Sequence, residues 1–241
     1  MKSLFKGIKG IIILVFLIII FIIGYFVYDG YKLYKSVTQE ISIEEKIAQI
    51  QASEEYIDID DISKDYLNAV IAVEDKRFYD HFGIDIYSIG RALMNNIENK
   101  KIIGGGSTIT QQLAKNMYFD QKKRLTRKVA ELFVVFNLEE NYSKDDILEL
   151  YVNVIYFGDG YYGIKEASNG YFNKEASELD LNESTLLAGI PNAPSAYQLS
   201  NNSNYTYERQ IIVINAMVEC GYLDEVEANN LINQIRESKG I

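Results

Sequence analysis

Residues 67–85 read LNAVIAVEDKRFYDHFGID, and they carry the clearest helical pattern of the chain outside its apolar start. Apolar residues recur there at helical spacing: Leu67, Val70, Ile71 and Phe78. This stripe predicts a helix over 64–79. Glu74 lies on the same stripe, where the spacing would favour Leu or Val. A carboxylate held there loses hydration, which suits general acid–base chemistry; the alternative is a structural ion pair with Lys76 or Arg77.

A compact turn follows Glu74 and contains His81, the only histidine of the chain. His81 is either a hydrogen-bonding strut or a catalytic group, and the strut is the favoured interpretation. The glycine loop at 104–106 then leads into Ser107, Thr108 and a predicted helix over 108–117. Such a loop exposes backbone N–H groups at a helix N-terminus, which favours phosphate. It is not a nucleotide P-loop, because no Gly-Lys-Ser/Thr follows; the alternative is an ordinary loop with an N-cap.

Basic residues cluster after that loop. They are Lys115, Lys122, Lys123, Arg124, Arg127 and Lys128. In a chain with a formal net charge of -10, this is a local reversal of sign, although charge runs are usually solvated faces. Arg127 and Lys128 precede Glu131 by one helical turn, so the three side chains share one side of a predicted helix. Two carboxylates, Glu74 and Glu131, with cations near the second suit an anionic leaving group better than glycoside hydrolysis, which needs no cationic cluster.

The run from Gly10 to Tyr28 contains no charged residue. Its length is close to the ~20 residues that cross the hydrocarbon core of a bilayer as a helix. Lys2, Lys6 and Lys9 precede it, so the positive-inside rule predicts a cytoplasmic N-terminus and an extracellular remainder. A cleaved signal peptide is the alternative, but its apolar core is usually about 7–15 residues long and ends in small residues.

The composition of the remainder favours helices. The negative net charge argues against general nucleic-acid affinity, which needs a basic face. The single cysteine, Cys220, has no partner for a disulfide or a metal cluster.

Further helices are predicted over 87–98, 126–139, 144–153, 163–171, 182–190 and 205–220. The sequence therefore predicts the following organisation: a cytoplasmic tail over 1–9, a transmembrane helix over 10–28, a stalk over 29–56, and one mainly α-helical domain over 57–241.

Five segments, in order, resemble the motifs of the peptidoglycan glycosyltransferase family, found in bifunctional penicillin-binding proteins and in monofunctional enzymes. They are EDKRFYDHFGID at 74–85, GGSTITQQLAKN at 105–116, RKVAE at 127–131, ILELYVNVIYFGDGYYGI at 147–164 and LNESTLLAGIPNAPSAY at 181–197. The resemblance covers nearly everything after Ile57. It implies a lysozyme-like helical lobe with a smaller membrane-proximal lobe, and polymerisation of lipid II into glycan strands.

The resemblance also implies roles for individual residues. Glu74 is the general base that deprotonates the 4-hydroxyl of the acceptor sugar, which then receives the growing chain with inversion. Lys115 and the neighbouring cations stabilise the departing lipid diphosphate. Glu131 either orients those cations or binds a divalent metal such as Mg²⁺, and no tightly bound cofactor is expected. The implied substrate-binding residues are Asp75, Ser107, Thr108, Gln111, Gln112, Lys115, Lys123, Arg124, Arg127, Lys128 and Asn153. Lys123 stands where the family more often has Arg, which offers a bidentate fork that lysine lacks.

The implied partners are lipid II, the growing glycan and the membrane, with cell-wall synthesis or division proteins as further candidates and no nucleic acid. No transpeptidase domain follows in this sequence, so glycan synthesis without cross-linking is expected. Two alternatives are a lytic enzyme that cleaves glycan and a non-catalytic scaffold that binds lipid II. The aromatic stretch 151–163 is either a sugar-binding wall or a packed turn between helices.

Overall fold

The structure, a computed structural model, describes residues 2–99, 106–120, 124–201 and 203–239, and helices dominate them. The α-helices are α1 (Lys2–Glu40), α2 (Ile43–Gln51), α3 (Lys64–Glu74), α4 (Ile86–Asn99), α5 (Ile109–Tyr118), α6 (Leu125–Asn141), α7 (Lys144–Val154), α8 (Gly163–Phe172), α9 (Leu181–Gly189), α10 (Pro194–Tyr197), α11 (Asn204–Glu219) and α12 (Glu225–Lys239). Short 3-10 helices lie at Ile59–Asp61, Phe78–Asp80, Ala176–Glu178, Ile190–Asn192 and Leu199–Asn201. The described residues include no β-strand, only one isolated bridge between Tyr156 and Tyr162. The prediction of a mainly α-helical chain is confirmed.

One continuous apolar core contains buried residues of α2, α3, α5, α6, α7, α8, α9, α11 and α12. Within it, α3 packs against α9 and α11, while α5 packs against α6 and α7. Its largest fully buried side chains include Tyr66, Phe78, Leu113, Leu138 and Tyr151. Each such side chain contributes roughly 1.5–3 kcal/mol by leaving water. The core therefore fixes α3, α5 and α6 relative to one another, and these helices carry most of the predicted site.

The first helix, α1, runs without a break from the apolar segment to Glu40. It is the one helix of the described chain that is long and apolar enough to cross a membrane. Beyond Tyr28 it packs against α6. Gly30 permits this close approach, because a Cβ atom there would lie 2.6 Å from Cγ1 of Val129. The ring of Phe133 on α6 stacks on that of Tyr34, with centroids 5.5 Å apart.

The region predicted as a stalk therefore contacts the helical domain along α1. Its second part, α2, also contributes to the core, since Ile43 and Ile47 are buried. A capping box at Ser42 starts α2: the Ser42 hydroxyl accepts from the Glu45 N–H, and the Glu45 carboxylate accepts from the Ser42 N–H. Helix α1 thus passes directly into the packed helices of the domain.

Two details differ from the expected helices. The helix predicted over 64–79 ends at Glu74, because Asp75 leaves helical geometry with φ -157° and ψ 74°. The stripe that continues to Phe78 belongs to a separate 3-10 turn. The sequence interpretation also missed α12, although its buried residues recur at helical spacing. They are Ala228, Leu231, Ile232 and Ile235.

Candidate active site

Glu74 is the last residue of α3, and its side chain is only 10% exposed. Its Oε2 accepts a hydrogen bond from Nε2 of Gln112 at 2.7 Å. The cation beside it is Arg209, whose Nη2 lies 3.4 Å from Oε1. Lys76 and Arg77 face other carboxylates, so the alternative interpretation, an ion pair between one of them and Glu74, is wrong. One oxygen of Glu74 is held firmly, and the other has a single long contact.

A second hydrogen bond orients the amide that holds Glu74. The Tyr151 hydroxyl donates to Oε1 of Gln112 at 3.4 Å, which leaves the Nε2 group of that amide to face Glu74. Tyr66 and Tyr151 are fully buried, and burial first, then the charge of Glu74, raises the pKa of each phenol. Both tyrosines are therefore neutral. On the protein side, the Glu74 carboxylate therefore faces buried side chains and one hydrogen-bonded chain that runs from Tyr151 through Gln112.

Asp75 has a different environment from Glu74. Its buried carboxylate lies 2.9 Å from Nε2 of His81 and accepts from the backbone N–H of Ile109 at 3.1 Å. His81 therefore acts as a hydrogen-bonding strut, the interpretation favoured from sequence. The Asp75 carboxylate therefore lies at the N-terminus of α5, the position at which the glycine loop predicted a bound phosphate. Substrate contact by Asp75 stays a prediction.

Two further N–H groups at the start of α5, those of Thr108 and Gln111, are used in a capping box. The Thr108 hydroxyl accepts from the N–H of Gln111, and Oε1 of Gln111 accepts from the N–H of Thr108. Both side chains are buried. Their first role is to start α5 in a fixed direction, which places Gln112 toward Glu74. Their predicted role in substrate binding is not tested by this geometry.

Glu131 lies in the middle of a cationic cluster on α6. Its side chain is fully buried and pairs with Arg127 through Oε1, while Nζ of Lys128 lies 3.1 Å from Oε2. The prediction that these three side chains share one side of the helix is confirmed. Lys128 also donates to the Ser107 hydroxyl at 3.2 Å, which ties the end of the glycine loop to the cluster.

The charge of Lys115 is influenced by both carboxylates. Burial, the largest effect, lowers the pKa of its ammonium, and the charge of Glu131 opposes that shift. Glu74 also raises the pKa of Lys115, while Arg127 and Lys128 lower it. The ammonium is therefore within electrostatic range of both carboxylates. α5 thereby carries Gln112 toward Glu74 and Lys115 toward the cluster on α6.

The donor set does not fit a metal held by this chain. Among the described residues, no group of three His, Cys, Asp or Glu side chains is placed to hold one. Both oxygens of Glu131 already face cations. Of the roles expected for Glu131, orientation of the cations is the one that these contacts support.

The other predicted residues lie elsewhere. Lys123 falls outside the described residues. Arg124 is exposed at the start of α6, on the side of α1. Asn153 bonds both the N–H and the carbonyl of Ile57, so its side chain holds the chain before α3. In the aromatic stretch, Phe157 is fully buried whereas Tyr162 is 58% exposed. That stretch therefore contains a packed turn with one outward ring.

Sequence reasoning missed Arg209, although a usable signal existed. The buried residues around it on α11 recur at helical spacing, namely Thr206, Gln210 and Val213. Arg209 lies on this stripe, as Glu74 does on α3, and its side chain is only 14% exposed. Its Cγ packs against Gly189, where an added Cβ would lie 3.0 Å away. Both positions therefore carry a charged residue on the buried face of a helix.

Comparison with known proteins gives consistent matches. A family model described as Transglycosylase matches residues 43–218. Penicillin-binding protein 1F of Bacillus subtilis (strain 168) is 41% identical over 229 residues, which are 94% of this chain and 31% of that protein. Penicillin-binding protein 1A of Neisseria flavescens is 45% identical over 169 residues, covering 70% of this chain and 21% of that protein. This chain spans less than a third of the length of these relatives.

Among solved structures, a crystal structure of penicillin-binding protein 1A from Haemophilus influenzae matches 73% of this chain and 17% of that chain. The sequence identity is 20% and the TM-score is 0.42. A similarity of this size supports no argument about the site. The family match and the contacts described above carry the functional interpretation.

Proposed function

Because this chain belongs to the transglycosylase family, we propose that it polymerises lipid II into the glycan strands of peptidoglycan. The proposal depends on one arrangement. A weakly engaged carboxylate, Glu74, and a cation cluster around Glu131 both act on the charge of the half-buried Lys115, which lies on the same helix as Gln112. Glycosyl transfer from a lipid diphosphate needs both parts: a base for the attacking hydroxyl and positive charge for the leaving group.

In the proposed reaction, Glu74 removes the proton from the 4-hydroxyl of the acceptor sugar. That oxygen forms a bond to the anomeric carbon of the growing chain, and the bond from this carbon to the lipid diphosphate breaks, with inversion. Glu74 suits the base because its Oε1 has only the 3.4 Å contact with Arg209, while Gln112 orients Oε2. A base within hydrogen-bond reach contributes typically 10²–10⁴-fold to the rate.

The departing diphosphate carries the negative charge that develops in this step. Lys115, Arg127 and Lys128 supply fixed positive charge for it, in a site where burial strengthens electrostatic interactions. Glu131 stabilises this concentration of like charge through its ion pairs with Arg127 and Lys128. A divalent cation such as Mg²⁺ at the diphosphate stays a prediction.

We further propose that α1 crosses the cytoplasmic membrane with the N-terminus inside and the helical domain outside. The basic residues before the apolar segment support this orientation through the positive-inside rule. A lipid-linked substrate then reaches the site from the outer leaflet. Glycan synthesis without cross-linking by this chain stays a prediction, as do partners among cell-wall synthesis or division proteins.

The test supplies the purified full chain, in detergent or vesicles, with lipid II in one reaction and with finished glycan polymer in another. We expect polymer from lipid II and no fragments from the polymer. Fragments without new polymer would identify a lytic enzyme, and lipid II binding without turnover would identify a scaffold. A parallel reaction with a chelator measures whether turnover needs a divalent cation.

A further inference from the structure

A cavity of about 380 Å³ lies between α1 and the start of α6. It begins just after the apolar segment of α1, whose last uncharged residue is Tyr28. Lys32 lies four residues further along the same helix, about 6 Å at 1.5 Å per residue. The headgroup layer outside the hydrocarbon core is roughly 5–8 Å deep on each side. If α1 crosses the membrane as proposed above, the cavity lies at headgroup depth.

Positive charge dominates the walls of this cavity. Lys32 lines it from α1, and Arg124 and Arg127 line it from α6. The one acidic wall residue, Asp29, accepts a hydrogen bond from the Thr126 hydroxyl at 2.8 Å. Within the part of the chain that the structure describes, neither Lys32 nor Arg124 forms an ion pair, and both are exposed. Two cations that form no ion pair therefore line one small volume, whose single acidic residue, Asp29, is bonded to Thr126.

This cavity is distinct from the proposed catalytic site. Glu74, Lys115, Lys128 and Glu131 do not line it. Of the residues implied for substrate binding, Arg124 and Arg127 line the cavity, and Arg127 also pairs with Glu131 through its Nη1. Lys32 also lies outside residues 43–218, which match the family, so the family resemblance assigns it no role.

We propose that this cavity binds the phosphate of an anionic membrane lipid, with Lys32 and Arg124 as its main contacts. The proposal rests on the membrane placement of α1 given under the proposed function. Charge-assisted hydrogen bonds from lysine and arginine to phosphate are stronger than neutral ones. A zwitterionic choline lipid carries its own cation next to the phosphate, so a cationic cavity favours a lipid with net negative charge. The acyl chains of the bound lipid lie along the exposed apolar part of α1.

The position of the cavity gives the bound lipid a structural consequence. The cavity is lined by both α1 and the N-terminal end of α6, and α6 is the helix that carries Arg127, Lys128 and Glu131. The Asp29–Thr126 hydrogen bond links the same two helices on the cavity wall. A bound phosphate adds a second link and holds the cation-bearing helix at a fixed height relative to the bilayer.

Native mass spectrometry of the full chain in a neutral detergent tests this proposal without any turnover. The chain is mixed with phosphatidylglycerol or with phosphatidylcholine of the same acyl length, and retained lipid is counted. We expect preferential retention of phosphatidylglycerol by the wild type. Lys32→Glu should weaken that retention about tenfold, the size expected for one charge-assisted hydrogen bond.

The matched control is Lys35→Glu, which makes the same change of charge on the same helix. Lys35 does not line the cavity, and its ammonium lies 5.7 Å from the ring centroid of Tyr31. Unchanged retention in this variant supports a specific site. Equal losses in the two variants, or equal retention of the two lipids by the wild type, would overturn the proposal.

A second arm adds inorganic phosphate in excess. Displacement of phosphatidylglycerol by phosphate alone would show a simple anion site and would overturn the assignment to a membrane lipid. Lipid retention and lipid II polymerisation are separate measurements. A chain that polymerises lipid II without lipid preference refutes this inference alone, and the reverse result refutes the proposed function alone.

Discussion

The two buried carboxylates of the site, Glu74 and Glu131, lie in opposite surroundings. Glu74 has an amide on one oxygen and a 3.4 Å contact with Arg209 on the other. Glu131 is fully buried, and cations from its own helix face both of its oxygens. Neither oxygen of the buried Glu131 is therefore open to a substrate hydroxyl. This comparison supports the proposed roles, with proton transfer at Glu74 and charge organisation at Glu131.

The difference arises from where each carboxylate sits on its helix. Glu131 is inside α6, one turn after Arg127 and Lys128, so its partners are fixed by helical spacing alone. Glu74 is the last residue of α3, and its partners come from α5 and α11. A residue at a helix end can thus be held by distant elements, whereas the partners of the mid-helix Glu131 come from its own helix.

The largest effect should come from Glu74→Gln. An amide keeps the shape and can still bond Gln112, but it cannot accept the proton, so turnover of lipid II should fall about 10³-fold. The midpoint of thermal unfolding should stay within a few degrees of the wild type. Glu208→Gln, an exposed change on α11 next to Arg209, is the control and should keep wild-type turnover. Turnover of Glu74→Gln within a few-fold of the wild type would remove Glu74 as the base.

Glu131→Gln should instead act first on stability. It leaves Arg127 and Lys128 without their buried counter-charge, so the free energy of unfolding should fall by about 3 kcal/mol. Urea unfolding followed by circular dichroism measures this loss. Glu140→Gln, an exposed change on the same helix, should alter the free energy by less than about 0.5 kcal/mol. If Glu131→Gln is as stable as Glu140→Gln, the role of Glu131 as an organiser of charge is wrong.

Replacing Lys115 tests both sides of the comparison, because the charges of Glu74 and Glu131 both act on this lysine. Lys115→Ala should slow turnover about 10²-fold, because it removes one fixed charge from the departing diphosphate. Burial lowers the pKa of this lysine below the ordinary 10.5, so its charge is lost at a lower pH than usual as the pH rises. The alkaline limb of the pH–rate profile should therefore lie below pH 10.5 in the wild type and move upward in Lys115→Arg. Wild-type rates for Lys115→Ala would exclude Lys115 from the mechanism.

The sequence could predict those features that depend on local helical spacing. The stripe around Glu74 and the turn from Arg127 to Glu131 are of this kind, and the structure contains both. The end of α3 could not be read from periodicity, since it depends on Asp75 bonding the N–H of Ile109, 34 residues away. The apolar stripe itself continues past that point, so spacing alone favoured a longer helix.

Partners from distant elements were also beyond the sequence. Arg209 is 135 residues from Glu74, and Tyr151 is 39 residues from Gln112. Periodicity shows which face of a helix is buried, but it does not show which face of another helix packs there. For the same reason, the contact of α1 with α6 was missed, and residues 29–56 were expected to form a separate stalk.

The smallest effect should come from Tyr151→Phe, which removes the hydroxyl that orients Gln112. One neutral hydrogen bond contributes about 1 kcal/mol, so kcat should fall roughly fivefold while KM stays near the wild-type value. Tyr66→Phe is the matched control, because Tyr66 is equally buried near Glu74 but its hydroxyl has no hydrogen-bond partner among the described residues. That variant should keep wild-type kcat, and losing an unpaired hydroxyl should not destabilise the fold. Equal losses of kcat in both variants would mean that the tyrosines act through packing alone, and that Gln112 holds Glu74 without help from Tyr151.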